Sequence, residues 1–303
     1  MVDNGRVLDA ARILAALEHV PAEWRDLSEL ISSMRSTSPL TGGSAPQLRP
    51  IDQELLRYLQ GQITSQRIAF WTENVRLLLS KHQETSLLVA FGADYPRNLG
   101  ECFDRPPLLF VQASDELDWD RAVAVVGSRK TSPRNLEVAR QLATTLAENG
   151  VTVVSGLAPG VDSYAHKASI DAGGRTVAVL ASGLGAALTD PPRSELASAI
   201  QQHGAIVSPY PPFAPATASS FVARNAVISG LSRASVLIDV REASGSHSEA
   251  EASLRQGRDI LLWEPALPPS EWSKRFALSP HVHLVSSTDD VIQTLSNVGL
   301  VLC

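Results

Sequence analysis

Two cysteines, Cys102 and Cys303, are all that the 303-residue chain contains. This number is too small for a disulfide framework or a thiolate metal site, so we expect no resident metal and a cytoplasmic location, where thiols stay reduced. Long hydrophobic runs are also lacking, and the N-terminus has neither the basic flank nor the apolar segment of a secretory signal. These absences predict a protein with no membrane partner.

An excess of positive charge is also lacking. The formal net charge is −6, which argues mildly against a general nucleic-acid binder with a basic face. The acidic excess is unevenly distributed, because the segment from Ala122 to Glu264 holds 12 basic and 12 acidic residues. A local basic groove in this neutral segment is therefore compatible with the composition.

Two short β-branched runs, at 123–126 and 151–154, each end in a glycine loop. Such a run before a helix is typical of parallel-sheet folds that place backbone N–H groups and a helix N-terminus in front of an anion. Consecutive parallel strands end on the same side of a sheet, so the two loops together predict a phosphate-rich ligand. The loop residues are Gly127, Ser128, Arg129 and Lys130 after the first run, and Ser155, Gly156 and Gly160 after the second.

Helices and strands alternate regularly through the main part of the chain, which predicts an α/β fold with a doubly wound, mostly parallel sheet. One helix is expected at Pro133–Asn149, with Ser132 as N-cap and Gly150 as terminator. The apolar run at 106–111 predicts an edge strand. We expect an N-terminal helical segment at 1–35, a linker at 36–50, a small helical domain at 51–84, the α/β domain at 85–265, and a C-terminal tail at 266–303 with one strand, one helix and no winged helix.

Two polar groups at predicted helix starts are further candidates for ligand binding. Arg224 and Asn225 lie near the start of one helix, and Ser244-Gly245-Ser246 opens the next as a candidate anion nest. Each group taken alone fits a structural cap or turn, and their combination with the glycine loops favours a binding site. Neither glycine loop matches the Gly-x-Gly-x-x-Gly or P-loop pattern. The main sequence evidence for a nicotinamide-dependent enzyme or a P-loop NTPase is therefore lacking.

Several motifs follow one another in an order that resembles the DNA-processing protein A family (DprA, also called Smf). The resemblance covers about residues 85–295. It implies an extended Rossmann-like domain. The motifs that carry it are Gly127-Ser128-Arg129, Ser155-Gly156-Leu157-Ala158 with Gly160-Val161-Asp162, Gly173-Gly174-Arg175, Gly183-Leu184, Tyr210-Pro211, Arg224-Asn225, Ser244-Gly245-Ser246 and Gln256-Gly257-Arg258.

The resemblance implies a homodimer that binds single-stranded DNA and loads a RecA-type recombinase onto it. It implies no enzymatic step and no cofactor. The family's DNA contacts carry over onto the positions that match its motifs. These are Gly127, Ser128, Arg129, Gly156, Gly160, Arg224 and Asn225.

The sequence departs from the family pattern near the predicted site. Ala226 stands where the family usually has a second basic residue, and Arg193 alone is left to replace a nearby lysine. After Ser246 the family's apolar pair and threonine are replaced by His247, Ser248 and Glu249. Fewer cations and an added carboxylate both oppose a polyanion.

These departures keep two other functions open within the broader superfamily. One is a sensor of nucleotide signals in antiviral defence. The other is a nucleotide N-glycosidase or phosphoribohydrolase, resembling the cytokinin-activating "lonely guy" enzymes, in which His247, Glu249 or Glu251 would be the catalytic residue. In that case base release depends on Glu249 or Glu251, and a small nucleotide raises the melting temperature.

Overall fold

The computed structural model describes residues 3–20, 24–113, 117–187, 191–241 and 244–300, without the side chains of residues 187 and 191–193. Strands and helices are numbered separately along the chain. The strands are β1 (Thr85–Val89), β2 (Leu108–Ala113), β3 (Ala122–Gly127), β4 (Thr152–Ser155), β5 (Thr176–Val179), β6 (Gly204–Ser208), β7 (Ala234–Ile238), β8 (Asp259–Trp263) and β9 (Val282–Val285).

The helices precede, connect and follow these strands. They are α1 (Asn4–Leu17), α2 (Arg25–Met34), α3 (Pro50–Gln62), α4 (Ser65–Lys81), α5 (Arg97–Gly100), α6 (Pro133–Glu148), α7 (Val161–Asp171), α8 (Leu184–Ala187), α9 (Pro191–His203), α10 (Ala218–Leu231), α11 (Gly245–Arg255), α12 (Glu271–Phe276) and α13 (Thr288–Asn297). Within the described ranges, no helix is both long enough and apolar enough to cross a bilayer.

The nine strands form one sheet in the order β1-β2-β6-β5-β4-β3-β7-β8-β9. All neighbours from β6 to β9 pair in parallel, whereas β2 pairs antiparallel with both β1 and β6. The predicted α/β class and mostly parallel sheet are therefore confirmed. The strand order reverses at β3, since β4, β5 and β6 extend to one side of it and β7, β8 and β9 to the other. Ligands of doubly wound sheets bind at the carboxyl ends of the strands beside such a reversal.

The strand predicted at the sheet edge is an interior strand. Strand β2 is buried along nearly its whole length, and β1 covers its outer side with a register of Thr85 opposite Gln112. The sequence reasoning missed β1 because its five residues follow a helical pattern without a strong turn signal. Only pairing with β2, about 20 residues later in the chain, makes this segment a strand.

Helix α6 confirms the local signals that predicted it. The Ser132 side chain accepts a hydrogen bond from the Asn135 N–H, and Pro133 occupies the first turn. The helix ends before Asn149, and Gly150 follows with a positive φ of 68°. Side-chain capping and a left-handed glycine are local interactions, so the prediction held to within a residue.

Helices cover both faces of the sheet. One face packs against α6, α7, α9 and α13, and against the N-terminal helices near β1. The other face packs against α10, α11 and α12. The segment 36–50, expected as a linker, contains a short 3-10 turn at Ser38–Thr41 and buries Leu40 and Leu48 in the same core as α1 and α2. The five predicted units stay a prediction.

Candidate functional site

A crevice of about 630 Å³ opens at the carboxyl ends of β3 and β7, where the strand order reverses. The end of β3 with the loop after it, the loop after β4, the start of α7, one side of α10 and the start of α11 form its walls. It brings together nine of the thirteen residues predicted for the site. These are Gly127, Ser128, Arg129, Lys130, Arg224, Asn225, Ser244, Gly245 and Ser246.

The glycines of the two loops allow close backbone contacts. A Cβ atom at Gly127 would lie 2.2 Å from the Ile238 carbonyl oxygen, which belongs to the neighbouring strand β7. Gly160 has a φ of 88°, and its Cβ atom would lie 2.5 Å from the Ser128 carbonyl oxygen. Side chains at either position would separate the loops. The glycines thus shape the crevice, although Gly160 itself does not line it.

Exposed positive charge lies on the loop after β3. Arg129 and Lys130 are both exposed, and within the described residues neither side chain has a carboxylate partner. The Arg129 guanidinium lies 4.9 Å from the centroid of the half-buried Phe221 ring, a cation–π distance. The hydroxyl of Ser128 donates to the Lys130 carbonyl oxygen at 2.9 Å and so holds the loop in a turn. These two cations are available to a ligand.

Arg224 is buried in the same crevice, only 5% exposed. Its Nη1 donates to the carbonyl oxygens of Gly156, at 2.7 Å, and of Val179, at 2.5 Å. A Cβ atom at Gly156 would lie 2.4 Å from this nitrogen, which explains the glycine at that position. The guanidinium therefore joins the loop after β4 to the end of β5, and its predicted phosphate contact stays a prediction.

Two buried carboxyl groups lie beside Arg224. Asp162, on α7, accepts hydrogen bonds from the backbone N–H groups of Gly156 at 3.1 Å and Ala158 at 3.4 Å. Burial nevertheless raises the pKa of Asp162, although Arg224 acts in the opposite direction. Glu249, on α11, is 1% exposed, and burial raises its pKa well above the usual value. The carboxylate that the sequence adds to the site is thus held in conditions that favour the neutral acid.

The other predicted residues have structural contacts. Ser155 is fully buried, and its hydroxyl donates to the Val125 carbonyl oxygen at 2.7 Å. The Asn225 amide donates to the Gly245 carbonyl oxygen at 3.0 Å, which ties α10 to the start of α11. Ser244 caps α11 by accepting from the His247 N–H at 3.2 Å. The side chain of Arg193 lies outside the described residues.

The alternative catalytic residues do not share one site. The His247 ring packs edge-on against Trp272, with ring centroids 4.7 Å apart, and its Nε2 lies 3.9 Å from Glu251. Trp272 donates to Glu251 at 3.3 Å. Of the three candidates, only Glu249 lines the crevice. Among the described residues no group of histidine, cysteine and acidic side chains could hold a metal ion.

Sequence reasoning missed two contributors to this site. Phe221 supplies the aromatic ring against which Arg129 packs, and helical spacing alone gave no reason to assign it a role. Arg241, beyond β7, pairs with the buried Asp239 at 3.0 Å and reaches the Lys130 carbonyl oxygen at 3.4 Å. The sequence did contain a signal for Arg241, because this residue comes directly after a predicted strand. That strand is β7, which pairs with β3 in the sheet.

A doubly wound sheet with cations and glycine loops around a crevice at its reversal point places this chain in the class of Rossmann-like proteins. The family model described as DNA recombination-mediator protein A matches residues 86–296. The chain belongs to this family, that of the DprA and Smf DNA processing proteins.

Individual relatives agree with this assignment. The chain is 35% identical to Protein Smf of Escherichia coli K12 over 213 residues, 69% of this chain and 56% of that one. It is 35% identical to DNA processing protein DprA of Streptococcus pneumoniae over 167 residues, 55% of this chain and 58% of that one. The chain thus spans about half the length of the curated relatives it matches.

Solved structures show the same fold. The X-ray structure of DprA from Streptococcus pneumoniae superposes with a TM-score of 0.64 and 25% identity, covering 97% of this chain and 98% of that one. DNA processing protein A from Helicobacter pylori, whose structure is described for its single-stranded DNA binding mode, superposes with a TM-score of 0.61. Its identity to this chain is 24%, over 71% of this chain and 96% of that one. The extended Rossmann-like fold is confirmed.

Proposed function

We propose that this protein binds single-stranded DNA in the crevice and transfers it to a RecA-type recombinase without a catalytic step. The observation that carries the proposal is the pair of exposed cations, Arg129 and Lys130, at a crevice that also contains an aromatic ring. Affinity for single strands comes from phosphate neutralisation in a groove combined with base stacking. Cations and an aromatic ring lie together on one rim of the sheet, which supports the proposal.

The burial of the acidic groups supports this proposal. A charged Glu249 in the crevice would repel a phosphate chain, and this was the main objection raised by the sequence. Because burial favours the neutral form of Glu249 and Arg224 lies beside it, the crevice carries less negative charge than the sequence suggests. Arg129 and Lys130 then dominate the electrostatics at its rim.

The further parts of the proposal are a homodimer and a cytoplasmic location. The description of the family as recombination mediators supports transfer to a recombinase. The free, buried thiol of Cys102 fits a reducing compartment. Sedimentation of the pure protein tests the dimer, and the ATPase rate of a RecA-type recombinase on protein-coated single strands tests the transfer. An unchanged ATPase rate contradicts loading.

The substitution Arg129→Ala is expected to weaken binding to a labelled dT oligomer by about 1–3 kcal/mol, or roughly 5- to 150-fold, because a charge-assisted phosphate bond is lost. The slope of the logarithm of the affinity against the logarithm of the salt concentration should also become smaller, by the amount expected for about one lost phosphate contact. Fluorescence anisotropy at several salt concentrations measures both quantities. The melting temperature should stay unchanged, since Arg129 is exposed.

Arg140→Ala is the matched control for this test. Arg140 is a half-exposed arginine on α6 that pairs with Glu137 and does not line the crevice. It should leave the affinity unaltered. Equal affinities of wild type and Arg129→Ala show that the DNA site lies elsewhere, and no single-strand binding at low salt overturns the proposed function.

A nucleotide hydrolase is the second candidate, and the position of Glu249 favours it. A neutral carboxylic acid in a ligand crevice is a suitable general acid for the departing base of an N-glycoside. Incubation with nucleoside monophosphates, followed by chromatography for free base, tests this activity. Base release that disappears in Glu249→Gln supports the hydrolase, and the absence of both base release and a nucleotide-induced rise in melting temperature excludes it.

A further inference from the structure

The loops that follow β3 and β7 begin side by side at the crevice. The two strands pair in parallel with Gly127 opposite Ile238, and the Ser128 N–H donates to the Ile238 carbonyl oxygen at 3.3 Å. The loop after β3 carries the two exposed cations Arg129 and Lys130. An exposed loop binds a ligand more tightly when it is held in one conformation before binding, because less conformational entropy is lost.

Asp239, the first residue after β7, has an unusual backbone conformation. Its φ is 55°, in the left-handed region, which costs free energy for a residue other than glycine and is found where the surrounding structure requires it. The side chain is buried, with 6% of the residue exposed. Both carboxylate oxygens accept hydrogen bonds from Arg241, one from Nε at 3.0 Å and one from Nη2 at 3.1 Å. This two-point contact fixes the direction of the guanidinium group.

Arg241 links two walls of the crevice. Its Nη2 also donates to the Lys130 carbonyl oxygen at 3.4 Å, on the loop after β3. Its own carbonyl oxygen accepts from the Ser244 N–H at 3.1 Å, at the N-cap of α11. Neither Asp239 nor Arg241 is among the described residues that line the crevice. The pair therefore contacts the residues that form the walls rather than the space between them.

We propose that Arg241, oriented by Asp239, is a positioning residue for the loop at 128–130. It holds this loop in the conformation in which Arg129 and Lys130 reach the phosphates of a bound strand. The inference rests on the proposed function and specifies how the site keeps its two cations in place. Because the guanidinium is already paired with a carboxylate, Arg241 acts through the loop and does not itself neutralise a phosphate.

Asp239→Asn separates this role from a simple charge effect. Asparagine keeps the size of aspartate and tolerates the left-handed region, but it offers the fork of Arg241 one acceptor oxygen in place of two. We therefore expect the variant to bind a labelled dT oligomer about 2- to 10-fold more weakly, the range for one net hydrogen bond. Removal of a negative charge beside a polyanion would by itself strengthen binding, so the two effects have opposite signs. Fluorescence anisotropy at low salt measures the affinity.

Arg241→Lys is the second variant, since lysine keeps the positive charge but lacks the planar fork. It should weaken dT binding by a similar factor. In the Arg129→Ala background the effect of Arg241→Lys should be much smaller, because one of the two positioned cations is then absent. Arg140→Lys is the matched control, since Arg140 forms the same two-point contact with Glu137 on the surface of α6, at 2.9 and 2.6 Å. It should leave the affinity unchanged.

The outcomes separate the positioning role of Arg241 from the function on which it depends. Unchanged or tighter dT binding by Asp239→Asn, or wild-type affinity of Arg241→Lys, overturns the positioning role and leaves single-strand binding in place. Failure of the wild type to bind dT at low salt overturns the proposed function as well. Melting temperatures are measured in parallel. Arg241→Lys should melt with the wild type, because the Arg241 side chain is exposed, and it decides the question if Asp239→Asn is destabilised.

Discussion

Acidification from pH 6.5 to pH 3 is expected to remove about 4 kcal/mol from the free energy of unfolding through His166, because the loss approaches about 1.4 kcal/mol per pH unit between the two pKa values and is smaller near each of them. His166 is fully buried on α7, with Nδ1 2.6 Å from the Thr176 hydroxyl. That hydroxyl donates to the Val153 carbonyl oxygen at 2.8 Å, so the histidine Nδ1–H donates to Thr176.

The sign of this effect follows from the two protonation states. Burial, assisted by the positive charge of Arg224, lowers the pKa of folded His166 from 6.5 to about 3. Between these values the unfolded chain binds a proton that the folded protein does not. The stabilisation of the folded protein that depends on a neutral His166 is therefore complete above pH 6.5 and is lost progressively down to pH 3.

Urea unfolding of wild type and His166→Asn at several pH values measures the contribution. Asparagine keeps a short N–H donor for Thr176 but does not titrate, so the stability difference should shift in favour of the variant as the pH falls. Asp162 and Glu249 titrate in both proteins and cancel in the comparison. His203→Asn, at an exposed histidine, is the control. Parallel pH profiles for wild type and His166→Asn would contradict the prediction.

Replacement of Arg224 by leucine is expected to cost about 2–6 kcal/mol of stability, because two buried carbonyl oxygens are left without a donor, at about 1–3 kcal/mol each. The Gly156 and Val179 carbonyl oxygens lose their shared donor. Asp162 and Glu249 lose the positive charge that lowers their pKa values. A loss of DNA binding in this variant therefore includes a structural component, in contrast to Arg129→Ala.

Urea unfolding with circular dichroism detects this cost, and Arg224→Lys is the informative comparison. Lysine keeps the charge but not the planar fork, so we expect a stability between those of wild type and Arg224→Leu. If Arg224→Leu unfolds at the wild-type urea concentration, the buried guanidinium does not hold the two loops together.

Local patterns predicted most of the elements and the loops of the candidate site. Helix α6 began at Pro133 as expected, because capping by Ser132 involves only neighbouring residues. The loop after β3 was also located correctly, since a strand ending in Gly127-Ser128 is visible in the sequence. The edge strand β1 was missed, because its status depends on pairing with a distant strand.

Residues to which the sequence analysis assigned the same role differ in their burial. Arg129 and Arg224 were both predicted as phosphate ligands. The structure places Arg129 on the surface and buries Arg224 within the protein. Glu249 was predicted as a negative charge that opposes DNA, and its burial favours the neutral acid. The exposure of each arginine and the protonation of Glu249 depend on side chains from several helices and strands.

The sequence by itself determined where the strands, helices and glycine loops lie, since hydrophobic periodicity and capping act between near neighbours in the chain. Only the tertiary structure decided which cations reach solvent and which carboxyl groups are held in conditions that favour the neutral form. The physical reason is that desolvation and charge pairing at one point depend on α7, α10 and α11 together. These three helices are separated in the chain, and residues from all three line the crevice at the reversal of the sheet.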